Sequence, residues 1–200
     1  MNNKLLENKE FLKWCYVGIT EKTLLDFTTL EKLKPYATIE REWGNRLLGT
    51  VDNKQWTTKL CENAVKELLE NLGYKNVKNA RKLKSSVCDK EYNPDFECDD
   101  FVWEVKGRSW TTPGTAGEKI LGTPLKYSEI PRLYKKPLKI VTVGYQEWEA
   151  KNGFACGDLI NPTKRGTEEL NKMMVLFKKL KIEYVGFTDM LEELNNKNVN

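Results

Sequence analysis

The sequence predicts a mixed α/β fold, a central β-sheet flanked by helices, preceded by an N-terminal helical region. Three observations carry that prediction. Segments with apolar residues at helical spacing alternate with short runs rich in β-branched residues. Residues 93–108 read as a β-hairpin whose second arm, Phe101-Val102-Trp103-Glu104-Val105-Lys106, places charged and aromatic side chains on opposite faces. The length, 200 residues, suits one core with a modest appendage. The expected division is a helical region over 1–54 and a core with a C-terminal α/β extension over 55–200, joined in one compact domain.

Taken in order, residues 3–16 and 21–33 carry Leu, Phe and Trp at roughly helical spacing, and Lys34-Pro35 is expected to end the second segment. Residues 37–48 read as a third helix closed by Gly49. The bland expectation for this region is a helical arm without chemistry. Residues 55–72 form the clearest helix, with a stripe of Leu60, Ala64, Val65, Leu68, Leu69 and Leu72, a stop at Gly73 and a start cap at Thr57 or Thr58. Residues 74–83 are extended and 84–91 a polar loop before the hairpin. Residues 109–122 form a loop leading into a short helix, and their glycines do not fit a phosphate-binding loop. Residues 138–145 suit a central strand. Residues 146–161 read as irregular, 167–180 as an amphipathic helix, 182–187 as a last strand, 188–194 as a short helix and 195–200 as a frayed tail.

Composition removes several chemistries. There is no histidine, so serine–histidine and cysteine–histidine hydrolases, His-ligated zinc enzymes and nucleases with a histidine base are all excluded. Five cysteines without a CxxC spacing argue against a disulfide framework and against structural zinc. The net charge of +4 says little alone, but the basic-rich segments 75–90 and 119–139 flank the acidic hairpin. No apolar run approaches the roughly 20 residues of a membrane helix, and the N-terminus lacks the apolar stretch of a signal peptide. The expectation is a cytoplasmic protein with no membrane partner.

The hairpin gathers the remaining chemistry. If Asp99-Asp100 form a two-residue loop, Cys98 pairs with Phe101, Glu97 with Val102, and Asp95 with Glu104. Glu104 and Lys106 then share a face, while Phe101, Trp103 and Val105 fill the other. Two carboxylates facing each other across a ladder repel, and a hard divalent cation such as Mg²⁺ answers that repulsion with oxygen ligands. Asp95 and Glu104 are the candidate ligands, with the Val105 backbone carbonyl as a third oxygen. Lys106 is placed to orient or help deprotonate a water, or to meet a phosphate oxygen. The alternative is an exposed charged turn with no metal.

Pro94-Asp95, eight intervening residues, then Glu104-Val105-Lys106 resembles the PD-(D/E)XK motif of the restriction-endonuclease-like nucleases. Glu62, on the helix before the hairpin, matches a glutamate that many members carry there. The order of elements over 55–145 is similar to that superfamily's core. The resemblance implies a Mg²⁺-dependent phosphodiesterase acting on double-stranded DNA, with Mn²⁺ as a substitute, that leaves 5′-phosphate and 3′-hydroxyl ends. It assigns catalysis to Asp95, Glu104 and Lys106 and makes Glu62 an auxiliary metal-binding acid. A small stand-alone member of this kind suggests a homodimeric type II restriction endonuclease. The residues after the motif, Trp110, Thr111, Thr112, Lys119, Lys126 and Arg132, are the candidates for DNA contact. Glu118 and Gln146 are further candidates for the site. A nuclease of repair, recombination or junction resolution, and a non-catalytic nucleic-acid-binding protein, are the alternatives.

Overall fold

The structure, a computed structural model, describes residues 4–19, 30–112 and 114–199. Seven strands and eight α-helices are seen among them. They run α1 (Lys9–Val17), α2 (Leu30–Leu48), α3 (Trp56–Asn71), β1 (Lys78–Asn79), β2 (Leu83–Lys84), β3 (Glu91–Tyr92), β4 (Phe96–Glu97), β5 (Val102–Arg108), α4 (Thr123–Lys126), α5 (Ile130–Tyr134), β6 (Leu138–Gly144), α6 (Tyr145–Asn152), α7 (Glu168–Lys179), β7 (Ile182–Gly186) and α8 (Phe187–Val199). Short 3₁₀ turns at Leu5–Glu7 and Gly114–Ile120 complete the list. Five strands form one mixed sheet in the order β1-β4-β5-β6-β7, and β2 and β3 form a separate two-stranded ribbon. β1, β4 and β5 pair antiparallel, whereas β5, β6 and β7 pair parallel. The chain is thus an α/β protein with helices on both faces of a mixed sheet.

The two faces are divided by the strand period. Trp103 and Val105 of β5 and Val141 and Val143 of β6 point into a core shared with Phe11 and Trp14 of α1, Trp43 of α2, Trp56, Leu60 and Leu68 of α3, and Phe187 of α8. Val102, Leu138, Ile140, Ile182 and Tyr184 point the other way, against Ile120, Tyr127, Ile130, Leu170 and Phe177. Residues of the N-terminal helical region are therefore part of the main core. Three tryptophans seal the junction, with ring centroids 5.6 Å apart for Trp14–Trp43 and 6.2 Å for Trp14–Trp56.

Glycine closes α2 and α3 as the sequence indicates. Gly49 and Gly73 take positive φ, and each pair of following amides returns to the last turn: Gly49 N to Arg46 O and Thr50 N to Asn45 O, then Gly73 N to Glu70 O and Tyr74 N to Leu69 O. At Gly107 a Cβ would lie 2.2 Å from Cys61 Sγ. That contact lets α3 lie directly on β5.

Several expectations are corrected. Pro35 does not end a helix; α2 runs through it to Leu48, at the expense of one backbone hydrogen bond, because Glu40, Trp43 and Leu47 are packed in the core. Positions 21–29 of the expected second segment lie outside the described residues. A break at Asn8, whose side chain accepts from Phe11 N at 3.0 Å, separates the 3₁₀ turn from α1. Neither Thr57 nor Thr58 caps α3, which begins a residue earlier with Gln55 at its N-cap and no side-chain cap. The polar loop 84–91 is the tip of the β2–β3 ribbon, with Ser85 N bonded to Lys90 O at 2.9 Å. Residues 145–152 are the helix α6, not irregular chain; its buried side chains are Gln146, Glu147 and Ala150, so no apolar stripe marks it in the sequence. The expected frayed tail is helical up to Val199.

Candidate active site

The hairpin adopts the register that loop arithmetic predicts. Glu97 pairs with Val102 and Phe96 with Trp103, and Cys98 N donates to Phe101 O at 2.9 Å across the Asp99-Asp100 turn. Beyond Phe96 the ladder gives way to a side chain. Asp95 N donates to Trp103 O at 3.1 Å, and its carboxylate Oδ2 accepts from Val105 N at 2.6 Å. Asp95 is therefore locked to the backbone between Glu104 and Lys106.

Glu104 and Lys106 follow on the same face of β5, and the Lys106 ammonium donates to Glu104 Oε1. Glu104 is 4% exposed. Its second oxygen, Oε2, is buried with no hydrogen-bond partner among the described residues. Leaving a charged oxygen unpaired in a dry site is costly. Tyr127 is buried near it, and burial together with the Glu104 carboxylate holds its phenol far above the ordinary tyrosine range. Lys126 Nζ in turn donates to Tyr127 Oη at 3.1 Å. Burial, then the neighbouring Glu104 charge, pushes the Asp95 carboxyl up to about 7, against the pull of the Val105 amide and Lys106.

Glu62 is the third acid of the expected site. It lies on α3, and its carboxylate is held by Lys59 Nζ at 2.7 Å. Its charge adds to the effects raising Asp95, after burial and Glu104. Among the described residues no group of three or more His, Cys, Asp or Glu side chains is gathered closely enough to hold a metal. Two carboxylates, one with a bare buried oxygen, still fit Mg²⁺, which is commonly bound through one or two carboxylates and fills its other positions with water and substrate phosphate.

A cleft of about 610 Å³ opens beside Lys106. Its walls include Thr57, Thr58, Lys106, Lys119, Lys126 and Gln146. Of the candidate DNA contacts, Thr112, Lys119 and Lys126 line it. Trp110 and Thr111 do not face a ligand. Trp110 is fully buried with its indole N–H on Trp14 O at 2.7 Å, and the Thr111 hydroxyl and amide bond the buried Glu40. The chain turns inward after Ser109 and is exposed again at Thr112. Arg132 is exposed and bound to Glu129 at 2.5 Å, beside Ser86 at the ribbon tip. Glu118 is exposed.

Arg108 escaped the sequence reading. It is clamped by both oxygens of Glu149, at 2.8 and 2.7 Å, by Thr112 O at 2.8 Å, and by the face of Tyr145, 4.9 Å from the ring centre. Gln146 Nε2 reaches Gly117 O at 3.4 Å. α6 thereby anchors the turn that carries Lys119. Its place one residue past the Glu104-Val105-Lys106-Gly107 run was the only available signal for Arg108. Comparison of the chain with protein-family models, with curated proteins and with solved structures finds no match in any of the three. Among the described residues no helix is long and apolar enough to cross a membrane.

Proposed function

We propose that the chain is a Mg²⁺-dependent endodeoxyribonuclease with a restriction-endonuclease-like core, cutting double-stranded DNA at a specific short sequence as a homodimer. Mn²⁺ would replace Mg²⁺. The supporting observation is the meeting of Asp95, Glu104 and Lys106 on one face of one hairpin, with a buried Glu104 oxygen lacking a partner. Sequence specificity and the two-site dimer rest on the resemblance of the motif.

A hard divalent cation held by Asp95, Glu104 and the Val105 carbonyl would lower the pKa of a bound water and offset charge gathering on the phosphate. The protein's own part is positioning. The Val105 amide fixes Asp95, so its free oxygen keeps one direction. Lys106 lies between Glu104 and the open cleft, where it can orient the attacking water and meet a phosphate oxygen. Lys119 and Lys126, with the Thr112 hydroxyl, supply phosphate contacts along the cleft.

The test is to incubate a long sequenced DNA with the purified protein and Mg²⁺ and map the ends. Discrete fragments with 5′-phosphates are expected, abolished by a chelator. No cutting with either Mg²⁺ or Mn²⁺ defeats the catalytic reading. A smear, or cutting confined to branched DNA, replaces the site-specific enzyme with a repair, recombination or junction-resolving nuclease.

A further inference from the structure

We infer that the β2–β3 ribbon enters the major groove of duplex DNA and carries the duplex onto the hairpin site. The inference rests on the nuclease reading for its ligand and names the part of the chain that meets it. The ribbon stands next to the site along the chain and in space. Only Asn93 and Pro94 separate Tyr92 of β3 from Asp95. The Tyr92 and Tyr127 rings lie 6.1 Å apart, and Tyr127 Oη accepts from Lys126, which lines the cleft. Register gives the ribbon two faces. Leu83 opposes Tyr92, and both are half-buried against the core that includes Tyr127 and Ile130. Lys84 opposes Glu91 on the outer face, where both are exposed.

The tip is held in one shape. Glu129 accepts from Ser85 Oγ at 2.7 Å, Ser86 N at 3.2 Å, Ser86 Oγ and Tyr92 Oη at 2.9 Å. Arg132 spans the same joint, donating to Glu129 and, at 2.9 Å, to Ser86 Oγ. Val87 N closes on Ser85 Oγ at 3.2 Å. Ordering a loop before it binds removes that cost from the binding step. Beyond this brace Val87 stands 85% exposed. Lys82, Lys84 and Lys90 are exposed and form no ion pair among the described residues, whereas Lys78 and Arg81 are held by Glu97. Asp89 and Glu91 are exposed between them. A protein partner would ask for an apolar centre without charges, and the outer face has only Val87 among charged neighbours. Those side chains suit base edges instead. Lys and Arg donate to guanine, Glu accepts from cytosine, and an apolar group meets the thymine methyl. A two-stranded ribbon is also of a size that the major groove admits.

Cys88, at the ribbon tip, supplies the probe. Among the described residues it is the one exposed cysteine; Cys15, Cys61 and Cys98 are buried and Cys156 is half-buried. The full chain is treated with a maleimide in chelator at low salt, with and without saturating plasmid DNA, and labelling is read by mass spectrometry. DNA should slow Cys88 labelling sharply and leave Cys156 unchanged. A duplex whose cytosines carry glucosylated hydroxymethyl groups, which fill the major groove, should not protect Cys88. Lys84→Ala with Lys90→Ala should weaken duplex binding and lower its salt slope by about two, with an unchanged melting temperature, since both positions are exposed. Cys88 that reacts equally fast with DNA bound overturns the proposal. So does equal protection by the glucosylated duplex, or an unchanged slope in the double variant. The nuclease reading fails separately: a chain whose Cys88 is protected but which cuts nothing with Mg²⁺ or Mn²⁺ keeps the ribbon and loses the nuclease. One that cuts while Cys88 stays open does the converse, and one that binds no duplex loses both.

Discussion

Two glutamates of this chain are almost equally buried and differ in one respect. Glu40 is 1% exposed and Glu104 4%. Glu40 receives four donors: the indole N–H of Trp14 at 2.7 Å, the amides of Trp110 and Thr111 at 2.9 and 3.1 Å, and the Thr111 hydroxyl. It ties α1, α2 and the segment after β5 together, and every one of its partners is protein. Glu104 has Lys106 on one oxygen and no partner on the other. Burial alone therefore does not mark a functional acid. What separates the two is whether the fold completes the carboxylate or leaves part of its coordination to something else.

The sharpest way to break the comparison is a matched pair of substitutions. Glu104→Gln should lower cleavage at saturating Mg²⁺ by at least about a thousandfold, while DNA binding and melting temperature stay near wild type. Gel cleavage and calorimetry decide it. If Glu104→Gln cuts normally, the bare oxygen has no catalytic meaning. Glu40→Gln should do the reverse. Its amide NH₂ would face N–H donors, at a cost of about 2–4 kcal/mol, with cleavage per folded molecule retained. An unaltered melt for Glu40→Gln would dissolve the contrast from the other side.

A smaller effect is expected from pH. The Asp95 carboxyl is raised from its ordinary range to about 7 by burial and by Glu104. A folded-state value above the unfolded one means that its contribution to stability is present in acid and lost as pH climbs toward 7. In chelator, the melting temperature should fall between about pH 4 and pH 7 more steeply for wild type than for Asp95→Asn, and Mg²⁺ should flatten the wild-type slope. The least change is expected at the cleft wall. Lys119→Ala should leave kcat alone, weaken DNA binding modestly, and reduce the salt slope of binding by about one. An unchanged slope would remove Lys119 from the DNA path.

The comparison also shows which parts of the molecule could be read from residues alone. The hairpin was legible because strand period and a two-residue turn fix register by arithmetic, so Asp95, Glu104 and Lys106 could be brought together without coordinates. α3 was legible because its stripe from Leu60 to Leu69 is long and its stop is a glycine. Glu40 was not, since its partners sit 26 to 71 positions away in sequence and nothing local distinguishes it from a solvated acid. α6 was missed for a related reason: it buries Gln146 and Glu147 rather than an apolar face. Trp110 and Thr111 were misplaced because a motif gives the direction of a strand but not of the turn that follows it.

The close contact at Gly107 ties two positions into one inheritance. With Cys61 Sγ only 2.2 Å from where a Cβ would stand, the side chains allowed at 61 and 107 share a single small allotment of space. A drifting lineage could enlarge one only after shrinking the other. The seam between α3 and the strand bearing Glu104 and Lys106 should therefore leave its trace in descendants as a correlated pair, not as two independently tolerant sites.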